Sequence, residues 1–283
     1  MIGTKPGAAK AAGAPGAPLR KRPAARTLFP MTRFLALALL LAAAGPALLH
    51  PAQRAPDWMI PLRDAIYEQV LPADDVRHAY LAAQSAARGL PAGAGRDIEL
   101  SRAEFFMGRA LLFEERGAEA RAHFAEGLRL AEAAVAAAPG SADAWVLRAE
   151  NLSHKIQADG RRTFAMRHGL DVTRFAERAL EIDPRSAAAQ YLVAARYVFA
   201  PGILGNINRG VGMMKAIYNG GGDMGRDDLF NVASAIGWGR VQQGNFGEAV
   251  PWLQRALEVY PTNRFAADLL EEAQSGGGRR RSR

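Results

Sequence analysis

From Asp57 to Gln274 apolar residues recur at spacings of three and four, and runs of β-branched residues are missing. The pattern is interrupted every ~14 to 20 residues by a residue that ends a helix, either by lacking an amide or by accepting positive φ. The interruptions are Pro139-Gly140, Asp159-Gly160, Pro184, Pro201-Gly202, Gly220 to Gly222, Gly244-Asn245 and Pro261. Helices are therefore expected over 57–70, 73–88, 99–115, 118–138, 142–157, 162–182, 186–199, 207–219, 227–243, 246–259 and 262–274, with no place for strands. Helices of this length joined by tight turns run antiparallel, and a series of such hairpins is an all-α solenoid.

A fixed repeat sharpens the class. Residues 230–261, FNVASAIGWGRVQQGNFGEAVPWLQRALEVYP, resemble a tetratricopeptide repeat (TPR). With Phe230 as position 1, Ile236-Gly237 falls at positions 7 and 8, Ala249 at 20, Leu253 at 24, Ala256 at 27 and Pro261 at 32. Small residues at 8, 20 and 27 let the two helices approach, and large ones at 7 and 24 fill the gap between them. Arg240 departs from the aromatic at 11 and Ala233 from the Trp at 4. Three weaker copies precede it. One starts at Ser101 and matches at Met107-Gly108, Leu111, Ala120 and Phe124, its second helix running on to Pro139. The next has Trp145, Ala149 and Leu152, an irregular stretch, and the closing AERALEIDP that ends at Pro184. The third has Ala194 and Tyr197. The resemblance spans 99–274 and implies a right-handed solenoid of about four degenerate hairpins. Extra helices at 56–98 would precede it, a C-terminal capping helix would close it, and 275–283 would form a basic Gly/Arg tail.

The segment PGILGNINRGVGMMKA at 201–216, with DLFNVASAIGWG and YPTNRFAADLL, is also similar to secreted bacterial TPR proteins such as the T component associated with TRAP transporters. Those T components are lipid-anchored, whereas this chain has no cysteine.

In TPR arrays the first helix of each hairpin lines a concave face through positions 2, 5, 9, 12 and 13. Carried over, these are Arg102, Phe105, Arg109, Leu112 and Phe113 in the first repeat, and Asp143, Val146, Glu150, Ser153 and His154 in the second. The third supplies Ala188, Tyr191, Ala195, Val198 and Phe199, and the fourth Asn231, Ser234, Trp238, Val241 and Gln242. The resemblance thus implies an aromatic groove with a few charges, suited to an apolar peptide, a partner helix or an amphiphilic small ligand. Asp143, Val146 and Glu150 do not supply the basic residues of a clamp for a terminal carboxylate.

Charge and composition narrow the function. The chain of 283 residues has 36 Lys plus Arg against 28 Asp plus Glu, a formal charge of +8. That excess sits at the ends. Lys5, Lys10, Arg20, Lys21, Arg22 and Arg26 lie in an acid-free start and Arg279, Arg280, Arg281 and Arg283 in the tail, leaving residues 31–278 at −2. Such a body presents no phosphate-tracking surface, so nucleic acid is not expected as a partner. The absence of cysteine excludes disulfides, thiol nucleophiles, thiolate zinc sites and Cys-ligated iron–sulfur clusters. His50, His78, His123, His154 and His168 form no H-E-x-x-H or close ligand pair, and no G-x-S-x-G elbow or P-loop occurs. Asp223, Asp227 and Asp228 lack EF-hand spacing, and Asp227 or Asp228 is expected to cap a helix. No catalytic residue, metal or cofactor is expected.

Residues 1–30, rich in Ala, Gly and Pro, are expected to be disordered, and Met31 is read as the true start. Met31-Thr-Arg33 followed by the apolar run Phe34 to Ala44 and Gly45-Pro46 has the grammar of a signal peptide within 31–55. An uncleaved anchor extending through Leu49 and a buried helix are the alternatives. Together these features point to a non-catalytic interaction module of the bacterial cell envelope, periplasmic or secreted, that binds an envelope protein or peptide. The alternative is a periplasmic small-ligand-binding or TRAP-type transporter accessory protein. Export should yield a soluble product whose first residue lies between about 44 and 55. N-terminal sequencing checks this, and recovery of intact residues 1–50 on a cytosolic protein would refute it.

Overall fold

The computed structural model describes residues 55–200, 205–220 and 224–277. The expected amino-terminal extension, the signal segment up to residue 54, the loop at 201–204 and the Arg279–Arg283 tail lie outside the described residues. A 3-10 turn at Asp57–Met59 leads into α1 (Ile60–Glu68). There follow α2 (Ala73–Arg88), α3 (Ala94–Phe113), α4 (Gly117–Ala137), α5 (Ala142–Asp159), α6 (Arg162–Ile182) and α7 (Ala187–Phe199). The last four are α8 (Ile207–Asn219), α9 (Arg226–Gln242), α10 (Phe246–Val259) and α11 (Arg264–Gln274). No strand occurs among the described residues.

Local chemistry sets these limits. Ser141 and Ser186 accept from the backbone N–H of Ala144 and Ala189, both at 3.3 Å, and Asn206 and Asn263 accept from Arg209 and Ala266, both at 3.0 Å. Each thereby satisfies one of the free amides of a helix start. Gly160 stops α5 at φ 69°, the left-handed conformation that costs glycine nothing. Two expectations need adjustment. α3 begins at Ala94, five residues before the expected 99, because Gly93 supplies the break. Neither Asp227 nor Asp228 is the N-cap of α9: that position is Gly225, whose N–H donates back to the Asp228 carboxylate at 3.2 Å.

Each helix packs on its neighbours in sequence, as a TPR-like solenoid requires: α3/α4, α5/α6, α7/α8 and α9/α10 are the hairpins, and α11 covers the last of them. The small residues at repeat position 8 meet the large ones at position 24. A Cβ on Gly108 would stand 2.6 Å from the Phe124 ring, and one on Gly237 2.5 Å from the Leu253 side chain. Glycine is needed at both because the large side chain of the second helix occupies the space of a methyl group. A buried polar link ties three helices: Asn151 of α5 donates to Ser101 Oγ of α3 at 3.1 Å, and Ser101 donates to the Gly127 carbonyl of α4 at 2.7 Å. Between α2, α3 and α4 the buried Glu104 carboxylate accepts from Tyr80 and Gln84 and meets His123 Nδ1, each at 2.7 Å, which offsets the cost of its burial.

The helix before the repeats does more than extend the array. Tyr67 of α1 stacks on Tyr260, the C-cap of α10, at 4.9 Å between ring centroids and meets Phe230 of α9 edge-on at 5.4 Å. The α1 end is tied to the chain some 195 residues later: Asn263 donates to the Tyr67 carbonyl at 2.7 Å, Thr262 to the Glu68 carbonyl at 2.7 Å, and the Arg264 N–H to Gln69 Oε1 at 3.0 Å. One apolar cluster accordingly contains Leu62, Ile66 and Tyr67 together with Phe230, Ala256 and Tyr260. Replacing Ala256, fully buried in that cluster, by Phe should overpack the α10 crossing and cost about 1 to 3 kcal/mol. The same change at exposed Gln254 should leave the melting temperature nearly unchanged. Thermal melts of the two variants check this, and equal melting temperatures would refute the repeat register.

Candidate functional site

The first helices of the hairpins and α1 line a cavity of about 650 Å³ that is partly open to solvent. Seven of the residues that the repeat positions place in a groove line it: Arg102, Phe105, Asp143, Val146, Glu150, Ala188 and Asn231. The remainder of the wall was not legible from the repeat. Arg63 and Tyr67 come from α1, Asp183 and Ser186 from the α6–α7 turn, Asp227 and Asp228 from the start of α9, and Glu258 from the end of α10. The resulting lining is ionic more than aromatic. Seven carboxylates, those of Asp57, Asp143, Glu150, Asp183, Asp227, Asp228 and Glu258, face three guanidinium groups, those of Arg63, Arg102 and Arg226.

The arginines are already engaged from behind the wall. Arg63 pairs with Asp64 at 2.9 Å, Arg102 with Glu99 at 3.2 Å, and Arg226 with Asp64 at 3.1 Å and Glu68 at 3.7 Å, and none of these acids lines the cavity. Arg226 also donates to the Val259 carbonyl at 2.7 Å and lies over the Tyr260 ring. Toward the cavity the contacts are longer: Arg102 to Asp143 at 3.6 Å and Arg63 to Asp227 at 3.7 Å. Oδ2 of Asp143 is shielded from solvent and accepts no hydrogen bond. Glu150, Asp183, Asp228 and Glu258 form no ion pair among the described residues.

Burial, more than like charge, sets the protonation equilibria of these groups. Burial, with Asp227 and Asp228 adding repulsion, pushes Glu150 up to about 8 against the pull of Arg102 and Arg109. Asp228 rises to about 7 from burial and the neighbouring Asp227, and Asp143 is raised by burial as well. His154 moves the other way, to about 3, because burial and then Arg109 disfavour its cation. Its ring is neutral, packed on Phe105 at 4.9 Å with Nδ1 at 3.1 Å from the Glu150 carbonyl oxygen.

The other groove positions fall outside the cavity. Arg109 is covered by α1, its guanidinium 4.4 Å above the Tyr67 ring and 5.6 Å from Phe113, whose ring is exposed. Tyr191 is half-buried between two apolar clusters, and burial holds its hydroxyl at about 12. Phe199 and Trp238 contact each other at 4.8 Å and form an aromatic pair on α7 and α9. Val198, Ser234 and Val241 are buried in the packing, while Leu112, Ser153, Ala195 and Gln242 are half-buried. A second, apolar depression of about 420 Å³ lies between α6, α7 and α8, lined by Leu180, Val193, Met213 and Ile217. No group of three His, Asp or Glu side chains among the described residues is arranged to hold a metal ion, and no described helix is long and apolar enough to cross a membrane.

No family model matches the chain, and no curated protein is similar to it. Its fold is similar to that of a thermophilic TPR protein of Thermus thermophilus, with a TM-score of 0.51 and 17% sequence identity. The match covers 77% of this chain and 98% of the other. The likeness establishes a TPR-like helical solenoid.

The raised Glu150 makes stability depend on pH in a defined direction. A carboxyl whose folded pKa lies above its unfolded value favours folding fully at low pH and loses that contribution as pH rises through the folded value, here about 8. Glu150→Gln, which keeps the neutral shape, should therefore melt with the native chain at pH 4, below the unfolded carboxyl value, and be the more stable at pH 9, by on the order of 2 kcal/mol. Parallel melts at the two pH values check this, and a pH-independent difference would refute it.

Proposed function

We propose that this protein is a non-catalytic interaction module that holds a polypeptide partner against the inner face of its solenoid and works in the bacterial cell envelope. The observation that carries this reading is the cavity itself. It opens where the first helices of all four hairpins converge, with lining from α3, α5, α7 and α9, so one ligand can touch residues far apart in sequence. A TPR-like solenoid offers protein partners such a surface in general, and the assignment to the envelope rests on the signal-like segment after Met31. Beyond the cavity, the Phe199–Trp238 pair extends the same face with the kind of aromatic anchor that dominates binding energy.

Site-specific photocrosslinking tests the reading. A photoreactive residue at Ala188 or Asn231 on the inner face should capture the partner in cells, and one at exposed Gln254 on α10 should not. With the partner in hand, Trp238→Ala should weaken binding by roughly 1 to 3 kcal/mol. Arg255→Ala, exposed on a second helix, should be neutral. Capture only from the outer helices would overturn the proposal.

A further inference from the structure

We infer that the inner cavity is a receptor for a basic polypeptide segment, with an arginine or lysine side chain of the partner entering between Asp143, Glu150 and the Asp227–Asp228 pair. This rests on the interaction-module reading and names the chemistry of the partner. Three independent features lead to it. The first is charge: seven carboxylates against three arginines line a space of about 650 Å³, and each arginine is bound by Asp64, Glu68 or Glu99 outside the lining. Within the lining only Asp143 and Asp227 have an arginine partner among the described residues, at 3.6 and 3.7 Å, so carboxylates remain in excess.

The second is unmet bonding. Asp143 Oδ2 is shielded from solvent and accepts no hydrogen bond, with only the Arg102 guanidinium near it at 3.6 Å, and the half-buried Glu150 carboxylate makes no ion pair among the described residues. A shielded acceptor such as Asp143 Oδ2 is costly unless a donor arrives, and a guanidinium brings five N–H groups in a planar fork. The third is shape and chemistry. The carboxylates come from different helices around an extended space, and among the described residues no three of them are arranged as ligands for a single metal ion. An extended chain carrying positive charge matches this spread, and the half-buried Ile60, Met224 and Leu229 in the same wall offer apolar surface for a methylene stem. Burial of the raised Glu150 and Asp228 adds a coupling to protons: a bound cation favours their ionised forms, so binding should release protons near neutral pH. Arg102 and Arg109 also act on Glu150, and Arg63, Arg102 and Asp227 on Asp228.

The test uses the full chain and fluorescence anisotropy with three labelled hexapeptides, Ser-Gly-Arg-Arg-Gly-Ser, its Glu-Glu analogue and its Ser-Ser analogue, with spermidine as competitor. The arginine peptide should bind at least about tenfold more tightly than the other two, a difference of ~1.4 kcal/mol. Its affinity should fall with added salt and rise between pH 6 and pH 8.5. Asp143→Asn and Asp228→Asn should each weaken it several-fold, while Glu126→Gln, an exposed carboxylate paired with Arg129 on α4, should leave it unchanged. Circular dichroism melts of each variant separate loss of binding from loss of fold. Equal binding of the three peptides, or spermidine binding as tightly as the arginine peptide, would overturn the inference. Inner-face crosslinks to a partner segment without basic residues would overturn it too and leave the interaction-module reading standing. Failure of all inner-face crosslinking alongside selective arginine-peptide binding would strike only that broader reading.

Discussion

The contact between Tyr67 and the Tyr260–Phe230 pair is the constraint on which the rest of the structure depends. A repeat array is held by nearest-neighbour interfaces, and its two ends are normally independent. Here α1 packs at once on the first hairpin, through Arg109 over Tyr67, and on the last, through ring contacts of 4.9 and 5.4 Å. The Asn263, Thr262 and Arg264 hydrogen bonds fix α1 along its C-terminal end, so the rings meet in one register. Because Tyr67 is fully buried and its hydroxyl is bonded by Asn231 at 2.9 Å, both its apolar body and its polar tip are satisfied.

That closure turns an open groove into a cavity with a particular charge. Without α1 the inner face would present Arg102, Asp143, Glu150 and the start of α9 to bulk water, where their interactions would be weak. With α1 in place, Asp64 and Glu68 form a back wall that takes up the Arg63 and Arg226 guanidinium groups, so that among the inward carboxylates of the described residues only Asp143 and Asp227 keep an arginine partner, at 3.6 and 3.7 Å. The raised protonation equilibria of Glu150 and Asp228 follow from the same geometry.

Much of the scaffold could be derived from the chain alone, because a helical hairpin repeat is a local code. Gly108 against Phe124 and Gly237 against Leu253 are side-chain pairs sixteen positions apart, and small-with-large spacing announces them. The limits of α2, α6, α8 and α10 follow from Pro, Gly, Ser and Asn chemistry in the same way. Seven cavity residues were accessible too, since repeat positions fix which side of a first helix faces inward. What could not be derived was contributed by partners remote in sequence. α1 has no repeat register, so nothing in its pattern says that Tyr67 will find Tyr260. Asp227 and Asp228 have the local signature of helix-capping residues, and only the placement of α5 and α7 opposite them turns them toward a ligand space. The aromatic character expected of the groove went instead into packing: Phe105 is buried, and Tyr191 is wedged between clusters.

The sixth helix carries a different consequence. Along its 21 residues the buried side chains are Thr173, Ala176 and Ala179, all in the second half, while Met166 is 77% exposed and Leu170 50% exposed. Its first turns are therefore sustained by their own backbone hydrogen bonds and little else, and isolated helical turns are marginal in water. Amide protons between Arg162 and Leu170 should exchange by local fraying, orders of magnitude sooner than those near Ala176. A protease cut in the same stretch would leave the Asp183 wall of the cavity seated on the half of the helix that stays folded.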